Sequence, residues 1–464
     1  MDFIIVLAAL GFLMLAAYRG YSVILMAPVA ALGAVLLTSP SSVAPMFSDT
    51  FMGAMVNFVK NYFPVFLLGA VFGKLIELSG FSKSIVAAVI KWIGADRAIL
   101  VIVIVCALLT YGGVSLFVVV FAVYPFASEL FRQNSIPKHL IPGVVALGAF
   151  SFTMDALPGT PQIQNIIPTT FFGTTTWAAP ILGVVGTLFV LVVGISYLNW
   201  RRISCVAKGE GYATGPLVNE PEPVDTADLP NPILSITPLF LIGIVNFVLT
   251  RMIPVWYGES HTVSMPGMKA PLVTKISSVV GIWAVEGALL TGIIFIVIFA
   301  WKTISKKIAD GSKQAVAGAM LAGLNTASEY GFGAVIATLA GFSVVKDMLA
   351  GIPNPLVNAA VSVSTLAGVT GSASGGMSIA LAALGEQFIA ACNAAGIPME
   401  VLHRVVAMAS GGMDTLPHNG AVITVLAVTG LTHKESYKDI FAVTVIKTLA
   451  VFFVIGFYYT TGLV

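Results

Sequence analysis

At 464 residues, with 58% apolar and 9% charged positions against about 25% charged in soluble domains, the chain has the composition of a polytopic membrane protein. A mean hydropathy of +0.97 agrees. The net charge of +2 excludes the basic face that nucleic acid requires. Cys106, Cys205 and Cys392 stand at no disulfide or metal-ligand spacing, so neither redox chemistry, a metal nor a cofactor is expected.

Apolar runs near the ~20 residues of a membrane-spanning helix predict crossings at 2–18, 21–38 and 58–79. The first run lacks a basic leader and a small-residue cleavage site, so it is read as a retained span. Residues 98–131 form two apolar arms around Thr110-Tyr111-Gly112-Gly113, and 139–175 read as a helix broken at Met154-Asp155-Ala156-Leu157-Pro158. A span at 177–200 leads into the polar stretch 201–230, rich in Gly, Pro, Asp and Glu, which separates the halves as a cytoplasmic linker. Spans follow at 232–252, 277–301 and 315–340, with an external loop at 253–275. Two more arms, 355–395, surround Thr370-Gly371-Ser372-Ala373-Ser374-Gly375-Gly376. A second broken helix, 398–432, carries Met413-Asp414-Thr415-Leu416-Pro417, and the last span is 438–462. Each glycine-rich centre can reverse the chain, which predicts two re-entrant hairpins; a kinked single crossing is the alternative.

Lysine and arginine placement orients this layout. Fifteen fall at ends assigned to the cytoplasm and six, including Lys346 and Arg404, at ends assigned outside; Lys74 and Lys447 lie within spans. The bias puts both termini outside a cytoplasmic membrane.

The two Met-Asp-x-Leu-Pro stretches place an acid and a proline where a bilayer favours unbroken apolar helix, so they point to function. They lie 259 residues apart. Three further echoes run in the same order at offsets of 261 to 263: Gly80-Phe81-Ser82 with Gly341-Phe342-Ser343, Gly112-Gly113-x-Ser115 with Gly375-Gly376-x-Ser378, and Ile136-Pro137 with Ile397-Pro398. The expected architecture is therefore all-α, about ten spans plus two hairpins, with two repeats inverted because five crossings separate equivalent spans. It divides into N-terminal spans (1–57), a first repeat (58–200), the linker (201–230), connecting spans (231–301) and a second repeat (302–464).

Each break should end one helix and begin another near the bilayer midplane, after Gly113, Gly159, Gly376 and His418. Free N–H groups at a helix start bind anions without a basic side chain, and no cation stands in any of the four breaks. This points to a small carboxylate. The groups expected around it are Gly112, Gly113, Ser115, Thr160, Gln162, Gln164 and Asn165 in the first half, and Ser372, Ser374, Gly375, Gly376, Ser378, His418 and Asn419 in the second; the alternative is that several satisfy backbone freed by the breaks. Asp155 and Asp414 either cap the following helix or carry a coupling proton. Glu329, in Asn325-Thr326-Ala327-Ser328-Glu329-Tyr330, and His418 are further proton candidates.

Thr110-Tyr111-Gly112-Gly113-Val114-Ser115-Leu116-Phe117 and the run Gly148–Gly173 resemble the gluconate permease (GntP) family of the ion transporter superfamily, nearest its D-3-hydroxybutyrate permease branch. The apolar Leu116-Phe117-Val118-Val119 stands where gluconate carriers have a charged or strongly polar segment. The resemblance implies proton symport, a homodimer, and an elevator in which hairpins and broken helices move against a scaffold. Both tips lack the Ser-Asn-Thr of sodium-coupled relatives, which favours protons. The expectation is a proton-coupled importer of a small hydroxy-monocarboxylate, 3-hydroxybutyrate first. Its rivals are a gluconate or citrate-like symporter of the same fold, an anion channel and, last, an intramembrane enzyme using Asp155 and Asp414.

Overall fold

Inside a bilayer no water satisfies backbone amides, so an apolar chain closes its hydrogen bonds within helices. The computed structural model describes residues 2–215, 217–222, 228–344 and 351–464; Lys346 and part of the 201–230 linker lie outside them. The chain runs through α1 (Asp2–Tyr18), α2 (Val23–Thr38), α3 (Met52–Leu78), α4 (Phe81–Ile93), α5 (Ala98–Tyr111), α6 (Leu116–Gln133), α7 (Ile141–Ala149), the single turn α8 (Phe152–Asp155), α9 (Ile163–Phe172) and α10 (Pro180–Ala207). It continues through α11 (Pro232–Tyr257), α12 (Val280–Ile304), α13 (Ile308–Thr338), α14 (Pro355–Thr370), α15 (Ala373–Ala394), α16 (Met399–Ser410), α17 (Gly420–Thr429) and α18 (His433–Thr461).

Among the described residues, six helices are long and apolar enough to cross a membrane, counting Pro40–Leu78 as one, or seven if a bent pair is included. That pair is α4 with Ala95–Tyr111, meeting at 109°. Sequence reasoning did not place α4 as a helix, because its seven buried positions alternate with Lys83, Lys91 and an exposed Trp92. Such an amphipathic pattern fits no full span. The architecture is all-α apart from local structure in the loop after α11, where Ser260–Val263 pairs antiparallel with Leu272–Lys275, His261 opposite Thr274.

Contacts recur in both halves. The two arms of each glycine-centred unit pack on each other, α5 on α6 and α14 on α15. Each first arm also packs on the first segment of the following broken helix, α5 on α7 and α14 on α16. The second segments cross over: α9 packs on α15 and α17 on α6. Around them, α3 lies along α13, α12 packs on α3 and α2 on α13, while α1–α2 and α11–α12 form matching pairs. The arms approach closely because small residues face each other; a Cβ at Gly376 would overlap the Ala367 backbone.

Turn chemistry corrects one detail of the sequence alignment. The first hairpin turns at Gly113 (φ +88) and α6 starts after Ser115; the second turns at Gly371 (φ +65) and α15 starts after Ser372. Gly375 and Gly376 therefore lie inside the first turn of α15 and do not form the reversal, and Ser115 corresponds to Ser372.

Candidate functional site

Each broken helix is tied to its own hairpin tip by an amide side chain at the start of its second segment. Gln162 precedes α9 and its Nε2 donates to the Thr110 carbonyl at 2.6 Å. Asn419 precedes α17 and its Nδ2 donates to the Gly371 carbonyl at 2.7 Å. The two donors stand 257 positions apart and the two acceptors 261, close to the spacing of the acid–proline stretches. Both amides occupy helix N-cap positions, where an Asn or Gln side chain can bond backbone on two sides. Tyr111 adds a bond from its hydroxyl to the Pro158 carbonyl, 3.0 Å, and the ring of His418 lies against Gly371.

The four helix starts are not equally open. Asn419 Oδ1 accepts from the Ala421 and Val422 amides, and Ser372 Oγ accepts from the Gly375 amide at 3.0 Å. Ser115 and Gln162 make no side-chain cap bond, so the uncapped starts both belong to the first half. The possibility that Asp155 and Asp414 cap helices is corrected by the same geometry: Gln162 and Asn419 hold those positions, and Asp155 ends the single turn α8.

Charge is where sequence reasoning needs its largest correction. No cation stands in the breaks along the chain, yet packing brings two there. Lys447, on α18, donates to Asp414 Oδ1 at 2.6 Å and to the Phe150 carbonyl at 2.9 Å, so one ammonium spans both breaks. Arg404 was assigned to an external end; it is fully buried in α16. Its guanidinium donates to the carbonyls of Asp155 (2.8 Å), Ala178 (2.7 and 3.2 Å) and Thr176 (3.4 Å) and to Asn165 Oδ1 (3.0 Å). Those bonds occupy its fork, so Arg404 holds backbone carbonyls freed by the break and is not an open anion receptor. Asp155 itself lies against Gly411 at the end of α16, which puts the two breaks in direct contact.

His403, Asn246 and Tyr62 were also missed. Asn165 Nδ2 donates to the Thr160 and Thr176 carbonyls, which leaves Oδ1 facing Arg404 and His403 Nε2 at 3.2 Å. The ring proton therefore sits on Nε2, and Nδ1 accepts from the Thr174 hydroxyl at 2.6 Å. Asn246, fully buried on α11, donates to the Gly159 carbonyl, and Tyr62 to that of Ile167. Thr160 donates to the Thr153 carbonyl. The common cue was a lone polar or charged residue within an apolar helix.

The second hairpin tip carries the open chemistry. Glu329, 4% exposed on α13, lies so close to Gly375 that a Cβ there would meet its carboxyl. Thr326 and Ser374 share a hydrogen bond of 3.2 Å beside it. Asn325 Oδ1, Ser328 Oγ, Ser378 Oγ and His418 Nε2 are buried without a hydrogen-bond partner among the described residues, as are Thr110 Oγ1 and Gln164 Oε1 at the first tip and break. Asn325, Ser328 and Glu329 stand three and four apart, on one face of α13. Buried polar atoms are normally paired, so a concentration of unpaired ones around two tips marks where a polar solute can bond.

No family model matches the chain. It is 55% identical over 472 residues to the uncharacterized transporter YxjC of Bacillus subtilis (strain 168), covering 100% of both chains. Its structure aligns with the crystal structure of the Alcanivorax borkumensis YdaH transporter, described as having an unusual topology, at a TM-score of 0.48 and 14% identity over 92% of this chain and 90% of that one. With its apolar spans and 55% identity to YxjC along the full length of both chains, the chain is a multi-pass membrane protein, a transporter and not an enzyme, and it belongs to the family of YxjC.

Proposed function

We propose that the chain is a proton-coupled symporter of a small hydroxy-monocarboxylate, 3-hydroxybutyrate being the best match, working by alternating access of two inverted repeats in the cytoplasmic membrane, as the GntP-family resemblance implies. The observation that carries this is the pair of matching clasps, Gln162 on Thr110 and Asn419 on Gly371, ringed by unpartnered polar atoms. The recurrence of the same helix contacts in both halves supports the duplication, and extends it to α1–α2 and α11–α12. Broken helices and tips meeting in the protein interior are the arrangement in which transporters bind solutes.

In this scheme the substrate carboxylate takes N–H groups at the uncapped starts after Ser115 and Gln162, and its hydroxyl takes partners from the set around Ser378 and His418. Arg404 and Lys447 are engaged elsewhere, and they fix the breaks without trapping the anion. Glu329 carries the proton. It makes no ion pair among the described residues, whereas Asp414 is matched by Lys447. Burial penalises an unpaired carboxylate, so a protonated Glu329 is the form suited to that site.

The test is uptake into proteoliposomes with a panel of labelled hydroxy acids, at two external pH values, with and without sodium. Acid-driven, sodium-independent uptake of a short hydroxy-monocarboxylate, with gluconate and citrate poor competitors, is expected. Failure of every short hydroxy acid to accumulate under an inward proton gradient overturns the proposal. Preferential counterflow of gluconate would retain the fold and reassign the substrate.

A further inference from the structure

At the opposite end of α10 from its proline, three potential metal ligands from three separate segments converge. His139 starts the first broken helix, Cys205 stands in the last turn of α10, and Glu210 is in the following linker. His139 Nε2 lies 3.8 Å from Cys205 Sγ and 3.9 Å from Glu210 Oε2, and all three ligand atoms lie within 4.8 Å of one another. Their spacing along the chain gives no metal motif, because the broken helix and most of α10 intervene between His139 and Cys205.

We propose that His139, Cys205 and Glu210 form a divalent-cation site, with Zn2+ the best-matched ion, that fastens the linker to the start of the first broken helix. One nitrogen, one sulfur and one oxygen suit a borderline ion such as Zn2+ better than Mg2+ or Ca2+, which take oxygen ligands. Tetrahedral Zn2+ bonds of ordinary length separate N from S by about 3.5 Å, N from O by about 3.3 Å and S from O by about 3.6 Å, so the two pairs made by His139 need close in by about half an ångström and the Cys205–Glu210 pair by about 1 Å at most. The ion would sit at the C-terminal end of α10, where the helix dipole favours positive charge. Two nearby cations are already matched: Arg201 pairs with Asp439 at 2.7 Å and Lys138 with Glu220 at 2.7 Å. A cavity of about 120 Å³, lined by His139, Tyr212, Thr214 and Glu435 among others, adjoins the cluster and gives the fourth position access to water.

The site is independent of the substrate proposed above, and so is its test. The tag-free, chelator-treated full chain is titrated with Zn2+ by calorimetry and with Co2+ by absorbance. One Zn2+ per chain is expected, with a thiolate-to-Co2+ charge-transfer band and a rise in thermal unfolding temperature on adding Zn2+. Cys205→Ser should lose the band and the rise. Glu210→Gln, on a linker side chain 31% exposed, should weaken Zn2+ affinity at least tenfold with unchanged metal-free melting. A Co2+ complex without a thiolate band, no stoichiometric Zn2+ binding, or Zn2+ affinity in both variants equal to that of the native chain overturns the proposal.

Discussion

Replacing Lys447 by Met keeps most of the side-chain volume and removes the ammonium. In the native protein that ammonium is 3% exposed and its Asp414 partner 8%, so neither is served by water. The substitution leaves a buried carboxylate uncompensated and the Phe150 carbonyl without this donor. Removing one member of a buried ion pair costs about 3–5 kcal/mol, and an orphaned buried acceptor about 1–3 kcal/mol. The two terms overlap, so a loss of about 3–5 kcal/mol is expected for Lys447→Met. Adding Asp414→Asn removes the stranded charge and should restore most of that loss, since replacing both members of a buried pair is often nearly neutral. Tryptophan fluorescence during denaturation of native protein, both single variants and the double variant completes the cycle. A Lys447→Met protein as stable as native, or a double variant no better than Lys447→Met, would refute the assignment of Lys447 as the brace between the two breaks.

Glu329→Gln should abolish acid-driven accumulation while leaving counterflow of labelled substrate intact; surviving pH dependence would move the proton to another group. Gly375→Ala pushes a methyl into the Glu329 carboxyl and should cost about 1–3 kcal/mol and most transport, whereas Gly420→Ala, where a Cβ meets nothing within 4 Å, should change neither. Asn419→Ala removes both a helix cap and the tip clasp; about 1–3 kcal/mol of destabilisation is expected in denaturant titration, with counterflow slowed. In the linker, burial pushes the Glu220 carboxyl up, but hydrogen bonds from Lys138, Tyr212 and Arg132 outweigh it and hold it below the ordinary carboxylate range. A lowered value contributes stability above the unfolded-chain pKa of about 4.3 and loses it as pH falls through the folded value. Glu220→Gln should therefore melt lower than native at pH 7, with the gap closing in acid; a gap independent of pH would remove Glu220 from that role.

Glycine and proline signal through the local backbone, which is why the interruptions could be read along the chain. Gly113 and Gly371 adopt left-handed conformations that end their helices whatever lies around them. Asn419 as a cap is equally local. The alignment of Gly112-Gly113 with Gly375-Gly376 failed because glycine serves two purposes: the first pair shapes a reversal, while the second lets α15 approach Glu329 and Ala367. Composition could not separate a turn from a close contact. α4 escaped notice because alternating burial and charge over thirteen residues resembles a surface segment as much as a membrane one.

The membrane class, the interrupted helices and the acid–proline pair are dictated by residue type and short-range sterics, and these are written along the chain. The electrostatics of the site are not. Arg404 meets the Asp155 carbonyl across 249 positions, His403 meets Asn165 across 238, and Lys447 meets Asp414 across 33. A charge in an apolar helix announces that it must have a partner, because leaving it unpaired in a medium of low polarity is too costly. Which partner it takes depends on how the helices cross, and helix packing alone settles that.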